Sequence, residues 1–408
     1  MITSPRCICC SEVIFLKRIN RYRQIFRKVI AFVLCVGLIV ICVLPAHAVL
    51  EEKETALTLN CPSAVLMEAT TGTILFEQNP DSICPPASIT KIMTLLLVME
   101  AVDEGTLRLE EQVTASAHAA SMGGSQVYLK EGESMSVEEM IKSVVISSAN
   151  DAALALAEHL CGTEEAFVTK MNEKAAELGM KNTNFENTNG LDDTVKNHVT
   201  TARDVAIMSR ALIRHELILK YSSIWMDSIR NGAFGLTNTN RLIRFYPGAT
   251  GLKTGSTAKA KFCISATAER NGMALICVIM GAETRDIRNE EAKKLLDWGY
   301  ANYEMYEAPQ IALDPLPVLG GTRNECEIEA PLFTCIVSKG SASHVDVSYE
   351  LAEVLSAPIE KGARAGSVIY RSGETILGQV DIYTKSAVPK ISFGGLFARM
   401  LRYFVGKY

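Results

Sequence analysis

Histidine is scarce in this chain, six residues in 408, and their placement removes most chemistry that depends on them. His47 falls in an N-terminal leader. His118, His159, His215 and His344 stand isolated, with no H-E-x-x-H or other paired spacing for a zinc site. His198 reads as a structural residue rather than the base of a hydrolytic triad. Gly123-Gly124-Ser125 is not a phosphate loop, because no G-K-[ST] follows it. Internal repeats and low-complexity tracts are missing too. Positive charge is also short. The chain carries 41 Lys and Arg against 46 Asp and Glu, and seven of the cations lie within residues 1–48 beside one acid, Glu12. The remainder holds 34 basic and 45 acidic residues, a net charge of −11. So acidic a body argues against nucleic-acid binding, which needs clustered cations to displace counterions from phosphates.

What the N-terminus does contain is an export signal. Arg27-Lys28 precedes an uncharged apolar run of 16 residues, Val29 to Leu44, and then Pro45-Ala46-His47-Ala48. A basic segment, an apolar segment and a small-x-small site mark residues 1–48 as a signal peptide cleaved after Ala48. An uncleaved anchor is the alternative, since the run is just short of a membrane span. Both readings export the body. Of twelve cysteines, five lie in this leader. The other seven (Cys61, Cys84, Cys161, Cys263, Cys277, Cys326, Cys335) form no metal or disulfide spacing. They read as buried thiols acting as small hydrophobes, with a Cys326–Cys335 pair left open.

At 408 residues the chain is long enough for two or three domains. A hairpin is expected at Ser63–Glu68 and Thr73–Gln78 around the turn Ala69–Gly72. From Pro85 to about Arg214 the pattern is helical, with apolar-periodic runs at Ile92–Val102, Val137–Leu160 and Glu164–Leu178. Strand-like stretches follow at Gly251–Gly255, Phe262–Glu269 and Met273–Gly281, closed by a helix at Ile287–Tyr303. This order predicts an α+β fold, an antiparallel sheet with helices on it plus an all-helical insert, spanning residues 55–307. The proline-rich stretch Ala308–Pro317 reads as a linker, and residues 318–384 as a small all-β domain. Residues 391–408 place Phe393, Leu396, Phe397, Met400, Leu401, Phe404 and Val405 at three-to-four spacing, with Arg399, Arg402 and Lys407 and no acid. That is a basic amphipathic helix of the kind that lies in a membrane surface, the alternative being packing on the β domain or a partner.

Three short motifs occur in order: Ser88-Ile-Thr-Lys91, Ser148-Ala-Asn150 and Lys253-Thr-Gly255. Each is weak alone. Together they assemble one chemistry. Pro85-Pro86 before Ser88 and an apolar run after it put the serine near a helix N-terminus, with Lys91 three residues on along the same face. A serine hydroxyl needs a neighbouring base. An amine becomes one when burial or a second cation lowers its pKa, and Lys253 is the candidate second cation. The Ser88 backbone N–H is one oxyanion donor, that of Ser256 the other. Ser148 is expected to relay protons to a leaving amine, Asn150 to hold Lys91 and bond the substrate peptide, and Lys253 with Thr254 to grip a carboxylate.

With these motifs the sequence resembles the low-molecular-mass serine D-alanyl-D-alanine carboxypeptidases, penicillin-binding proteins of peptidase family S11, and most of all their sporulation-type members. Matching stretches reach beyond the triad, to Gly124-Ser125, Asn189-Gly-Leu191 and His198–Asp204. The resemblance implies a β-lactamase/transpeptidase-like catalytic domain and an acyl-enzyme on Ser88 that releases D-alanine from peptidoglycan stem peptides. It further implies acylation by β-lactams, no metal or organic cofactor, and a place on the extracytoplasmic face of a bacterial cytoplasmic membrane. A class A β-lactamase would need an E-x-x-x-N, and Glu186 is followed four residues on by Gly190. A D,D-endopeptidase of the same fold stays open, because the same triad serves it. So does a catalytically weak wall-binding sensor, although no triad residue is lost. Oligomeric state is not set by the sequence.

Overall fold

A computed structural model describes residues 57–193 and 195–406; the expected signal peptide at 1–48 lies outside the described residues. The N-terminal hairpin forms as expected, from β1 (Ser63–Glu68) and β2 (Ile74–Gln78). Three long strands return much later in the chain: β3 (Ala249–Thr257), β4 (Lys261–Arg270) and β5 (Met273–Ala282). They close an antiparallel sheet of order β2-β1-β5-β4-β3. The two central strands are buried almost throughout, which is why they read as SAVLME and MALICVIMGA rather than as alternating patterns.

Side chains alternate across that sheet. Val65, Met67, Ile276 and Val278 join the large core formed with the helical block. Residues of opposite parity, Leu66 and Leu275, meet the helix α6 (Arg285–Asn302), where a Cβ on Gly299 would lie 2.7 and 2.8 Å from them. The sheet is therefore covered on both faces, an α+β arrangement as expected. At the centre of the helical block runs α1 (Lys91–Asp103). Ile92, Met93, Leu95, Leu96, Val98 and Met99 are all fully buried, and a helix apolar on every side belongs inside a core.

The apolar run Val137–Leu160 is two helices, not one. Helix α2 (Val137–Ser147) ends where Ser148 takes a left-handed conformation, φ 63°, and α3 (Asn150–Cys161) starts in a new direction. Two further long helices belong to the insert, α4 (Glu164–Glu177) and α5 (Ala202–Ile213), each capped by a threonine hydroxyl that accepts a backbone N–H.

Beyond α6 the chain is β apart from one 3₁₀ turn, Ala342–His344, until its last helix. The strand β6 (Tyr303–Glu307) pairs with β7 (Thr334–Ser338), and β8 (Val345–Leu351), β9 (Arg364–Ser372) and β10 (Thr375–Thr384) form an antiparallel sheet. A small core of Ile328, Val337, Val368, Tyr370 and Ile382 joins them, with Phe333 stacked on Tyr370 at 4.1 Å. All seven cysteines of the described residues are free, and the Cys326 thiol donates to backbone carbonyls at Glu327 and Ser386. The last helix, α7 (Phe393–Phe404), buries none of its residues; Phe393 is 85% exposed and Phe404 81%. Arg399 is turned back toward the β region. It ties α7 to the β region by donating to the carbonyls of Gly321 and Thr322 and to Asn324 Oδ1. No helix of the described residues is long and apolar enough to cross a membrane.

Candidate active site

Between the sheet edge β3, the start of α1 and the break between α2 and α3 lies a cleft of about 580 Å³, lined among others by Ser88, Ser148, Thr254, Gly255 and Ser256. Ser88 sits in a single 3₁₀ turn, Ala87–Thr90, immediately before α1. The preceding Ala87 is held at φ 49°, a conformation that costs a non-glycine residue about 1–2 kcal/mol and that strong surroundings must enforce. Two groups hold its carbonyl. Thr90 Oγ1 donates to the Ala87 carbonyl at 2.9 Å. Gly190 packs so closely that a Cβ there would lie 1.8 Å from that same carbonyl oxygen. Gly255 on β3 packs on the same turn, where a Cβ would lie 3.0 Å from the Ser88 nitrogen.

Lys91 is wholly buried, and its Nζ lies 2.9 Å from Ser88 Oγ and 2.8 Å from the Asn189 carbonyl. Burial pushes its pKa well below the usual lysine range, and the nearby Lys253 cation lowers it further, against the opposing pull of Asp151. Lys253 is 1% exposed and brought down to about 7, by burial first and then by Arg288. Its Nζ donates to Ser148 Oγ at 2.8 Å and to the Thr254 carbonyl at 2.9 Å. Ser148 reaches it through its left-handed position between the two helices.

The expected residues thus converge, with two differences. Asn150 does not hold Lys91. Its backbone N–H goes to the Ser125 carbonyl at 2.7 Å and its Nδ2 to the Gly123 carbonyl at 2.6 Å, turning the side chain toward the 123–125 loop and leaving its Oδ1 without a partner. The Asn189 carbonyl takes its place. That carbonyl is presented by a loop in which Asn187 Oδ1 accepts the Gly190 N–H at 2.7 Å and Asn189 Oδ1 the Leu191 N–H at 2.9 Å. Second, Lys253 is turned inward rather than toward the cleft. The guanidiniums lining the cleft belong to Arg241, Arg285 and Arg288, none of which stood out in the sequence.

Other residues have supporting places. Asp151, fully buried, accepts backbone N–H groups from Val127, Leu129 and Ala152, so it fixes the 127–129 segment against the start of α3. His198 is structural, as expected: the Glu186 N–H donates to its Nδ1 at 2.9 Å, and its Nε2 lies 2.7 Å from Thr90 Oγ1. Glu186 itself points away, accepting N–H groups of Lys196 and Asn197.

Residues 50–284 match the family described as D-alanyl-D-alanine carboxypeptidase. The chain belongs to this family. Residues 300–390 match a second family, the C-terminal domain of penicillin-binding protein 5. Among curated relatives, the D-alanyl-D-alanine carboxypeptidase DacF of Bacillus subtilis is 40% identical over 370 residues, 88% of this chain and 94% of the relative. DacC of Escherichia coli is 32% identical, covering 89% and 92% of the two chains. The solved structure of penicillin binding protein 5 from Haemophilus influenzae superposes with a TM-score of 0.73 at 32% identity, covering 82% of this chain and 99% of that one. Members of the family therefore resemble this chain through both the sheet-and-helix part and the β region.

Proposed function

We propose that this protein is a serine D-alanyl-D-alanine carboxypeptidase of the cell wall, acylated by penicillins, in which Ser88 is the nucleophile and residues 55–307 form the catalytic domain. The observation that carries the assignment is the Ser88–Lys91 contact of 2.9 Å to an amine held below its normal pKa. The neutral Lys91 amine takes the Ser88 hydroxyl proton as Oγ attacks the penultimate D-Ala carbonyl. The oxyanion is met by the Ser88 N–H and, on β3, that of Ser256. As the C–N bond breaks, the proton passes through Ser148, itself bonded to Lys253, to the leaving D-alanine amine. Water then cleaves the ester; Lys91 takes its proton and returns it to the departing Ser88 Oγ, restoring the free enzyme. The unpartnered Asn150 Oδ1 suits the substrate's peptide N–H.

The terminal carboxylate falls to Thr254, whose hydroxyl bonds Thr239 Oγ1 at the cleft wall, and to Arg288, buried and brought to about 10 by burial and by its neighbours Arg285 and Arg241. Lys253 supports this region from behind. The experiment is release of D-alanine from an acylated L-Lys-D-Ala-D-Ala peptide, compared with its C-terminal amide. The free acid should be cleaved faster by about tenfold or more, since a charge-assisted hydrogen bond is worth about 1.5–3 kcal/mol. Equal rates would refute the carboxylate assignment.

The protein acts outside the cytoplasm, held at the extracytoplasmic face of the cytoplasmic membrane by α7. The support is its exposed face of Phe393, Phe397, Met400, Leu401 and Phe404. Its ligands are peptidoglycan stem peptides and β-lactams. Trimming of single stems is favoured over cleavage of cross-links by the carboxypeptidase relatives that span most of the chain.

A further inference from the structure

Arg241, Arg285 and Arg288 converge on one wall of the cleft, and the arrangement is electrically unfavourable as it stands. Arg285 and Arg288 occupy the first turn of α6, where the helix dipole already presents positive charge. Arg288 is 3% exposed, and its guanidinium is bonded only to the neutral Asn289 Oδ1, at 2.9 and 3.1 Å. Arg285 and Arg241 are near enough to weaken its hold on its proton. Among the described residues no carboxylate forms an ion pair with any of the three, and the nearby Glu283 is taken by Lys261. Asp286 is near enough to pull against them at Arg288 but pairs with none, and three like charges without an ion-pair partner mark a site that is completed by an anion.

One terminal carboxylate has two oxygens, and the buried Arg288 with Thr254 satisfies them. Arg241 and Arg285, both exposed at the cleft, are left over. We propose that they form a subsite for a second carboxylate on the leaving residue, so that the enzyme removes C-terminal D-amino acids with acidic side chains and discriminates against basic ones. This rests on the carboxypeptidase reading above and extends it from D-alanine to a charge-selected class of leaving groups. The bonds broken and formed are those of the D-alanine reaction; only the side chain of the departing amine changes.

The test uses the full chain and three acylated peptides ending in D-Ala-D-Ala, D-Ala-D-Glu and D-Ala-D-Lys. The D-Glu peptide should show a kcat/KM at least about tenfold above that of the D-Lys peptide, and added salt should shrink the ratio. Arg241→Gln and Arg285→Gln should each reduce the ratio, and together bring it to about one. Competition by the same peptides against penicillin acylation gives the ranking independently of turnover. If the D-Ala peptide is not hydrolysed, the carboxypeptidase reading fails while the ranking is still measured. A D-Lys peptide bound and cleaved as well as the D-Glu peptide overturns the proposal. So do variants that depress all three peptides in parallel, because the guanidiniums would then serve the terminal carboxylate alone.

Discussion

Gly190→Ala should disable the site from a residue that performs no chemistry. Gly190 stands at φ 87°, and a Cβ there would lie 1.8 Å from the Ala87 oxygen, 2.3 Å from its carbon and 2.8 Å from Thr90 Oγ1. Real Cβ contacts stay beyond 3.0 Å, so something must move by at least 1.2 Å. The obstacle is backbone, and the next residue along it is Ser88, the proposed nucleophile. Misplacing a reacting group by about 1 Å costs on the order of 100-fold, so the second-order rate of acylation by a fluorescent penicillin should drop by about that factor. The left-handed backbone adds about 1–2 kcal/mol of lost stability, read from denaturant unfolding. Gly179→Ala is the control. It has a similar φ of 76° and nothing within 4 Å, so it should lose comparable stability and keep its acylation rate. Equal acylation rates in the two variants would refute the argument that Gly190 braces the Ser88 turn.

Three further outcomes follow from the same structure. Asp151→Asn replaces an acceptor of three buried backbone N–H groups with a side chain that also donates; unfolding free energy should fall by about 3 kcal/mol, and an unchanged midpoint would remove Asp151 from the site's frame. Burial pushes His198 down to about 4 from its ordinary 6.5, so its neutral form belongs to the folded state. Its contribution is intact above about pH 6.5 and lost as pH falls toward 4, by at most about 3 kcal/mol; His198→Gln should flatten that limb of a stability–pH curve. Deleting residues 391–408 should release the signal-cleaved protein from anionic vesicles without slowing penicillin acylation, and persistent pelleting would place the anchor elsewhere.

Much of the fold was legible because its signals are local. The hairpin at 63–78 carries its own turn, and the i, i+3 spacing of Ser88 and Lys91 survives in any helical turn. The break at Ser148 was not legible, because a left-handed residue there is enforced by tertiary contacts and lacks the usual glycine or asparagine mark. The partner of Lys91 is a backbone carbonyl, and carbonyls leave no trace in residue identity; only the Asn189-Gly-Leu191 stretch pointed near it. The arginine wall escaped for another reason. Arg241 and Arg285 are separated by the whole three-stranded return of the sheet, and each alone resembles an ordinary surface cation. Arg399 misled similarly: it belongs to the cationic side of an amphipathic helix by spacing, yet the β region claims it.

The central claim is that Ser88 is the nucleophile activated by Lys91, and intact-mass analysis after incubation with benzylpenicillin tests it most directly. The wild-type chain should gain one penicilloyl mass, with the adduct mapping to the peptide that contains Ser88. Ser88→Ala should gain none, and Lys91→Met should gain it far more slowly. An undiminished adduct on the Ser88→Ala protein would contradict the account.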